Sequence, residues 1–258
     1  MMEKKYKLTD EAIQYCGNTL YRIEALRDFN DVKKGDKGGF IESEDNLSHD
    51  GNCWVYDNAV VCDNAHVYDN AVVCDNAHVY GNAVVCDNAH VCDNAHVYGN
   101  AVVCDNAHVY DNAVVYGYAN VRGNAVVYGN ANVYGYANVR GYAVVCGNAN
   151  VCGYANVRGN AKVGGDAKVT NNRDYIVFKN WWSSGRYFTW TRSNNKWSVG
   201  CFYGTGEELI AKAYKDSELS GREYERIVRY VEAIKEPIKP AKRLNRIQII
   251  VCKLLNIK

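Results

Sequence analysis

Three arginines, Arg122, Arg140 and Arg158, recur 18 residues apart within three copies of Gly-Tyr-Ala-Asn-Val-Arg-Gly at 117–123, 135–141 and 153–159. With them recur Tyr118, Tyr136 and Tyr154, and Asn120, Asn138 and Asn156. A guanidinium column flanked by amides and phenol rings suits a phosphate or carboxylate bonded by arginine, with a base or ring stacked on tyrosine. If the copies lie one above another, like charges about 4.8 Å apart repel by about 1 kcal/mol even in water, and something must compensate them. A small anionic ligand is one answer. The other is internal: stacking on neighbouring tyrosines, or acidic groups from Glu207, Glu208 or a later helix.

The remaining chemistry-bearing types point away from catalysis. Histidines 66, 78, 90, 96 and 108 fill a repeat position that valine and asparagine also fill, which argues against a unique general base. Seven of the 11 cysteines share one repeat position and the total is odd, so reduced thiols are expected. Cys74 with Cys92, and Cys86 with Cys104, run parallel at about 4.8 Å, slightly far for a relaxed disulfide. Cys74, His90, Cys92 and His108 are metal-capable, but zinc needs four converging donors, so neither a metal nor a cofactor is expected. Aspartates at 57, 75, 93 and 111, and at 69, 87 and 105, read as solvated turn residues rather than calcium ligands.

What positions these residues is a repeat. From Val55 to Val169 a valine falls at every sixth residue, 20 in all, with alanine two residues before each one from Val61 on. The unit is Val-x-(Asp/Gly)-(Asn/Tyr)-Ala-x, and such self-similarity marks a solenoid. A helix of 3.6 residues per turn would scatter the valines around every side, whereas Asp-Asn and Gly-Asn are corner formers. Each hexamer therefore reads as a short strand and a corner, and three of each close one coil.

This pattern resembles the hexapeptide-repeat family over about 115 residues. The resemblance implies a mainly β fold, a left-handed parallel β-helix with triangular coils of 18 residues, Val and Ala inward. Many such proteins are acyltransferases, alike in a loop that interrupts the coils and in a catalytic histidine near a subunit groove. Here no loop breaks the repeat, so a non-catalytic role is expected. Related proteins are commonly trimers. The face carrying Val72, Cys74, His90, Cys92, His108, Tyr110, Val126 and Tyr128 has few charges and is the expected self-association surface. The face stacking Tyr80, Tyr98, Tyr116 and Tyr134 is assigned to packing.

Upstream, Arg27–Phe40 followed by Asn46-Leu-Ser48 is similar to the leader of a group of bacterial and prophage β-helix proteins. Residues 1–50 are expected to cap the 51–170 helix, with Ile41, Leu47 and Cys53 in phase with the repeat alanines. Past Val169, strands at Tyr175–Phe178, Arg186–Arg192 and Lys196–Tyr203 and a helix at Ser220–Lys235 make a small α+β domain, 171–236. Residues 237–258 read as a linker and a basic amphipathic helix. With 30 basic and 29 acidic residues no global field draws the chain to duplex nucleic acid or membrane, and the charged start lacks a signal peptide, implying a soluble, cytoplasmic protein of a bacterial host. The functional expectation is a phage-type protein that sequesters a small anionic ligand such as a nucleotide immune signal. The alternatives are a scaffold holding a protein partner through the carboxy-terminal domain, and an acyltransferase-like enzyme.

Overall fold

The structure, a computed structural model, describes residues 4–235. The amphipathic helix expected at 237–258 lies outside them. Two-residue strands at each repeat valine build three parallel sheets. The first face runs in seven strands from Trp54–Val55 to Lys162–Val163, and the third in six from His66–Val67 to Asn156–Val157. The second face runs from Val60–Val61 to Lys168–Val169 and continues into the leader, ten strands in all. Pairing is in register at 18 residues, as in Asn120 with Asn138 and Asn138 with Asn156. The N–H groups before and after each inward valine donate to carbonyls of the following coil, for example Asn120 N to Ala137 O and Arg122 N to Val139 O, both at 2.9 Å.

The repeat valines and alanines from Ala59 to Val169 are buried to within 1% and form one continuous core. Each enclosed valine contributes roughly 1.5 to 3 kcal/mol of transfer free energy. Corners turn on a residue at positive φ. At two of the three corners Asp occupies this position in the early coils, as at Asp93 (59°), and Gly in the later ones, as at Gly147 (68°); at the third, Gly holds it from Gly81 (72°) on. The turn aspartates are not solvated only. Asp75 Oδ2 accepts from Asp93 N at 3.2 Å and Asp93 Oδ2 from Asp111 N at 3.1 Å, so each carboxylate ties its corner to the next coil.

The strands of the first and last coils lack a neighbour on one side, which leaves backbone N–H and C=O groups open at both rims. Both rims are met by side chains of the right polarity. In the leader, β1 (Tyr6–Tyr15), β2 (Asn18–Ala25) and β3 (Lys37–Ile41) form an antiparallel ribbon, and β3 pairs parallel with Val60–Val61. Just ahead of β1, the fully buried Lys5 donates through Nζ to Cys53 O at 2.9 Å, and Tyr6 Oη donates to Leu47 O at 2.6 Å. At the far rim the last strand of each face donates to a side-chain oxygen: Asn156 N to Asn172 Oδ1, Lys162 N to Thr189 Oγ1 and Lys168 N to Ser193 Oγ. Unsatisfied rim groups would cost about 1 to 3 kcal/mol each if buried.

The leader corrects one expectation. Ile41 and Leu47 pair with Val61 and Val67, not with the alanines two residues earlier, while Trp54 pairs with Val72 in the expected phase. Two extra residues between Leu47 and Val55 absorb the shift.

Beyond the shaft, strands Tyr175–Lys179, Tyr187–Thr191, Lys196–Val199 and Phe202–Gly204 form an antiparallel sheet. The third expected strand is thus two, broken at Gly200, whose φ is 55°. Helices α1 (Gly206–Asp216) and α2 (Glu218–Lys235) pack on this sheet through Leu209, Ala213, Tyr224, Val228 and Val231 against Phe188, Trp190 and Trp197. Ile234, near the end of α2, is 44% exposed. Among the described residues no helix is long and apolar enough to cross a membrane.

Candidate functional site

The third face carries three outward columns, and all three change in the same coil. Before each valine the order is His66, Val84, Val102, then Asn120, Asn138, Asn156; after it, Tyr68, Cys86, Cys104, then Arg122, Arg140, Arg158. At the adjoining corner an amide ladder through Asn64, Asn82 and Asn100 gives way to Tyr118, Tyr136 and Tyr154. Strand register therefore brings together all nine residues singled out by sequence.

The tyrosines stack with ring centroids 5.0 and 5.3 Å apart and nearly parallel planes. Their faces cover one another along the stack. The hydroxyl edges and Tyr154, 78% exposed at the end of the stack, remain. Asn120 Nδ2 donates to Tyr118 O and Asn138 Nδ2 to Tyr136 O, both at 3.1 Å, while Arg122 Nη2 donates to Asn120 Oδ1 at 3.0 Å. Asn156 differs: its Oδ1 is buried without a partner among the described residues.

The arginines are exposed and, among the described residues, none lies within ion-pair distance of a carboxylate. The internal acids proposed from sequence are spent elsewhere: Glu207 pairs with Arg229, and Glu208 Oε2 accepts from Thr205 N at 2.7 Å. Arg122 instead faces Cys104, whose thiol is pushed up by burial while the guanidinium pulls it back. Burial pushes the neighbouring Cys86 thiol up to about 12. The column ends in an open cleft of about 660 Å³ whose lining includes Arg158, Asn160, Asn172, Tyr175 and Tyr187. Tyr175 and Tyr187 lie outside the repeat, and no periodicity in the sequence pointed to them.

On the first face Val72, Cys74, His90, Cys92, Tyr110, Val126 and Tyr128 are half-buried and His108 is exposed, in one continuous strip. His90 stacks on His108 at 4.9 Å and Tyr110 on Tyr128 at 5.2 Å. Burial, with His108 beside it, holds His90 below the usual imidazole range. The reduced-thiol expectation fails at one pair, since Cys74 and Cys92 are joined by a disulfide with Cα atoms 4.7 Å apart. That spacing lies within disulfide reach, because rotation about Cα–Cβ turns two parallel side chains toward each other. Cys86 and Cys104 remain thiols. On the second face Tyr80, Tyr98, Tyr116 and Tyr134 stack 4.8 to 5.0 Å apart, as in-register packing demands.

A corner every six residues, an 18-residue register and a Val/Ala interior decide the architecture. The shaft is a hexapeptide-repeat β-solenoid. No family profile matches the chain. A 66-residue stretch is 42% identical to a protein of Escherichia coli (strain K12) described as the uncharacterized acetyltransferase YdcK, covering 22% of this chain and 20% of that protein. The chain thus matches about a fifth of that relative's length. Nothing in the hexapeptide-repeat solenoid itself fixes an activity, because its invariant residues all point inward.

Proposed function

We propose that the chain is a non-catalytic binding protein that holds a small anionic ligand, such as a nucleotide signal of the kind sequestered by phage proteins, on the Asn-Arg half of its third face. The observation that carries this reading is the exposed arginine ladder without a carboxylate partner among the described residues, appearing in the same coil in which the two neighbouring columns change. Like-charge columns destabilise the bare protein, whereas an anion bridging the guanidinium groups turns that repulsion into charge-assisted hydrogen bonds. The half-buried strip on the first face suits self-association, which would set two or three such ladders on one assembly.

Calorimetry of the purified protein against ADP-ribose and cyclic dinucleotides tests the reading. Binding is expected, with loss of at least tenfold in affinity when Arg122, Arg140 and Arg158 are together changed to alanine. No heat with any of these anions, or binding indifferent to the triple change, rejects it.

A second reading rests on the likeness to a protein described as an acetyltransferase. It requires turnover of acetyl-coenzyme A with an amine or hydroxyl acceptor, and a single histidine whose loss abolishes that turnover. The histidines of the shaft stand in repeated positions and, among the described residues, no carboxylate orients any of them, which supports the binding reading over this one.

A further inference from the structure

The carboxy-terminal unit holds a second polar concavity, remote in sequence from the arginine ladder. It is a pocket of about 260 Å³ where the 180–186 turn meets the sheet and the helices. Its floor is built rather than incidental. Asn180, 3% exposed, accepts from Ser183 N at 2.9 Å through Oδ1 and donates through Nδ2 to Tyr224 Oη at 3.1 Å. Tyr224 is itself 7% exposed, and Trp182 packs edge-on against its ring at 5.0 Å. Because Tyr224 Oη accepts from Asn180, its own proton is left to donate, and it has no acceptor among the described residues. Burial, reinforced by Asp216, raises this phenol above its ordinary value, so the proton stays in place at neutral pH.

Around this donor stand Arg186 and Lys212, neither in an ion pair among the described residues, against a single carboxylate, Asp216. The opposite wall is apolar: Val199, Phe202, Leu209 and Ala213. Unspent donors lining one pocket together with apolar side chains are what a small anion with an apolar body requires, and the volume limits that ligand to fragment size.

We propose that this pocket binds a compact monoanionic or dianionic ligand, its carboxylate or phosphate head on Arg186, Lys212 and Tyr224 Oη and its body against Phe202 and Leu209. The site shares no residue with the arginine ladder and stands or falls separately from it.

Benzoate and phenyl phosphate are suitable probes, with benzamide as the neutral counterpart, each titrated into the full chain by calorimetry. At least one anion should bind at a single site, and benzamide at least tenfold more weakly. Arg186→Gln, an exposed change, should weaken the anion by about tenfold or more, as loss of a charged hydrogen bond does. Tyr224→Phe should weaken it severalfold with little change in melting temperature. The triple alanine variant of the ladder should bind the probe unchanged. The proposal is overturned if neither anion binds at millimolar concentration, if benzamide binds as well as the anions, or if Arg186→Gln leaves the affinity intact.

Discussion

The early and late halves of the third face have the same backbone and opposite uses of their side chains. In the early coils the corner residues are spent on the shaft itself. Asp87 Oδ2 accepts from Asp105 N at 3.1 Å, and Asn70, Asn88 and Asn106 pass amide bonds from coil to coil. In the late coils Gly takes that corner, at 75° in Gly141, without needing a side-chain bond to hold it. Asn120 and Asn138 turn back to carbonyls of their own hexamer, and the arginines reach solvent. On this face the side chains of the late coils thus bond within their own hexamer or reach solvent, and the arginines become available for recognition.

The early coils also carry, on their first face, the one covalent tie among the described residues, and breaking it should give the largest effect. A cross-link closing 18 residues is worth about 3 kcal/mol. Cys74→Ser, or reductant, is expected to lower the melting temperature by several degrees and to loosen hydrogen exchange in the coils around Val73 and Val91 before those around Val139. Exchange that rises evenly along the shaft would show that the two halves are not separately stabilised.

The corners themselves come next. Gly135→Ala places a Cβ at positive φ, 3.1 Å from Gly153 N, and should cost about 1 to 2 kcal/mol. Asp93→Ala keeps an unfavourable φ of 59° while removing the acceptor for Asp111 N, and should cost a similar amount of about 1 to 2 kcal/mol. Asp93→Gly loses the same bond but gains the freer backbone, so a loss of under about 1 kcal/mol is expected. Denaturant unfolding of the three variants would break the comparison if Asp93→Gly proved the most damaging.

The solenoid was legible because its signal is redundant: twenty in-phase valines leave no other period that buries them together. The nine residues of the ladder were legible for the same reason, since register follows from period. What escaped were features without a period. The two-residue offset under Val61 and Val67 lies in the irregular leader. Helix α1 was missed although Thr205 and Glu208 form its capping box, a signal readable as Thr-x-x-Glu before Leu209. The Asn180–Tyr224 floor joins residues 44 apart, through a fold of the domain that no local pattern encodes. The disulfide was misjudged because parallel Cα positions were taken to imply parallel sulfurs.

A smaller effect separates the halves by charge. If the arginines repel one another in the unliganded protein, Arg140→Gln should stabilise it by up to about 1 kcal/mol at low ionic strength. That gain should vanish near 1 M salt, where the Debye length falls to about 3 Å. A destabilised variant would mean that Arg140 is held by partners inside the chain.

The smallest difference is one of titration, and its sign follows from the second face. There His78 and His96 stack 4.8 Å apart in the early coils, whereas Asn132 and Asn150 hold the same column later. Burial first, and the neighbouring His96 second, hold His78 below the usual imidazole range; burial does the same to His96. Above the ordinary value of about 6.5 both imidazoles are neutral, folded or unfolded, and nothing is lost. As pH falls through that value the unfolded chain takes up protons that the folded shaft still refuses, so stability declines toward the depressed folded values. The melting temperature should therefore drop between about pH 7 and about pH 5, and drop less in a His78→Asn, His96→Asn variant. Since asparagine already serves this column two coils further on, the variant should fold. An unchanged pH profile would mean that the stacked imidazoles accept the proton in place and that early and late coils do not differ in this respect.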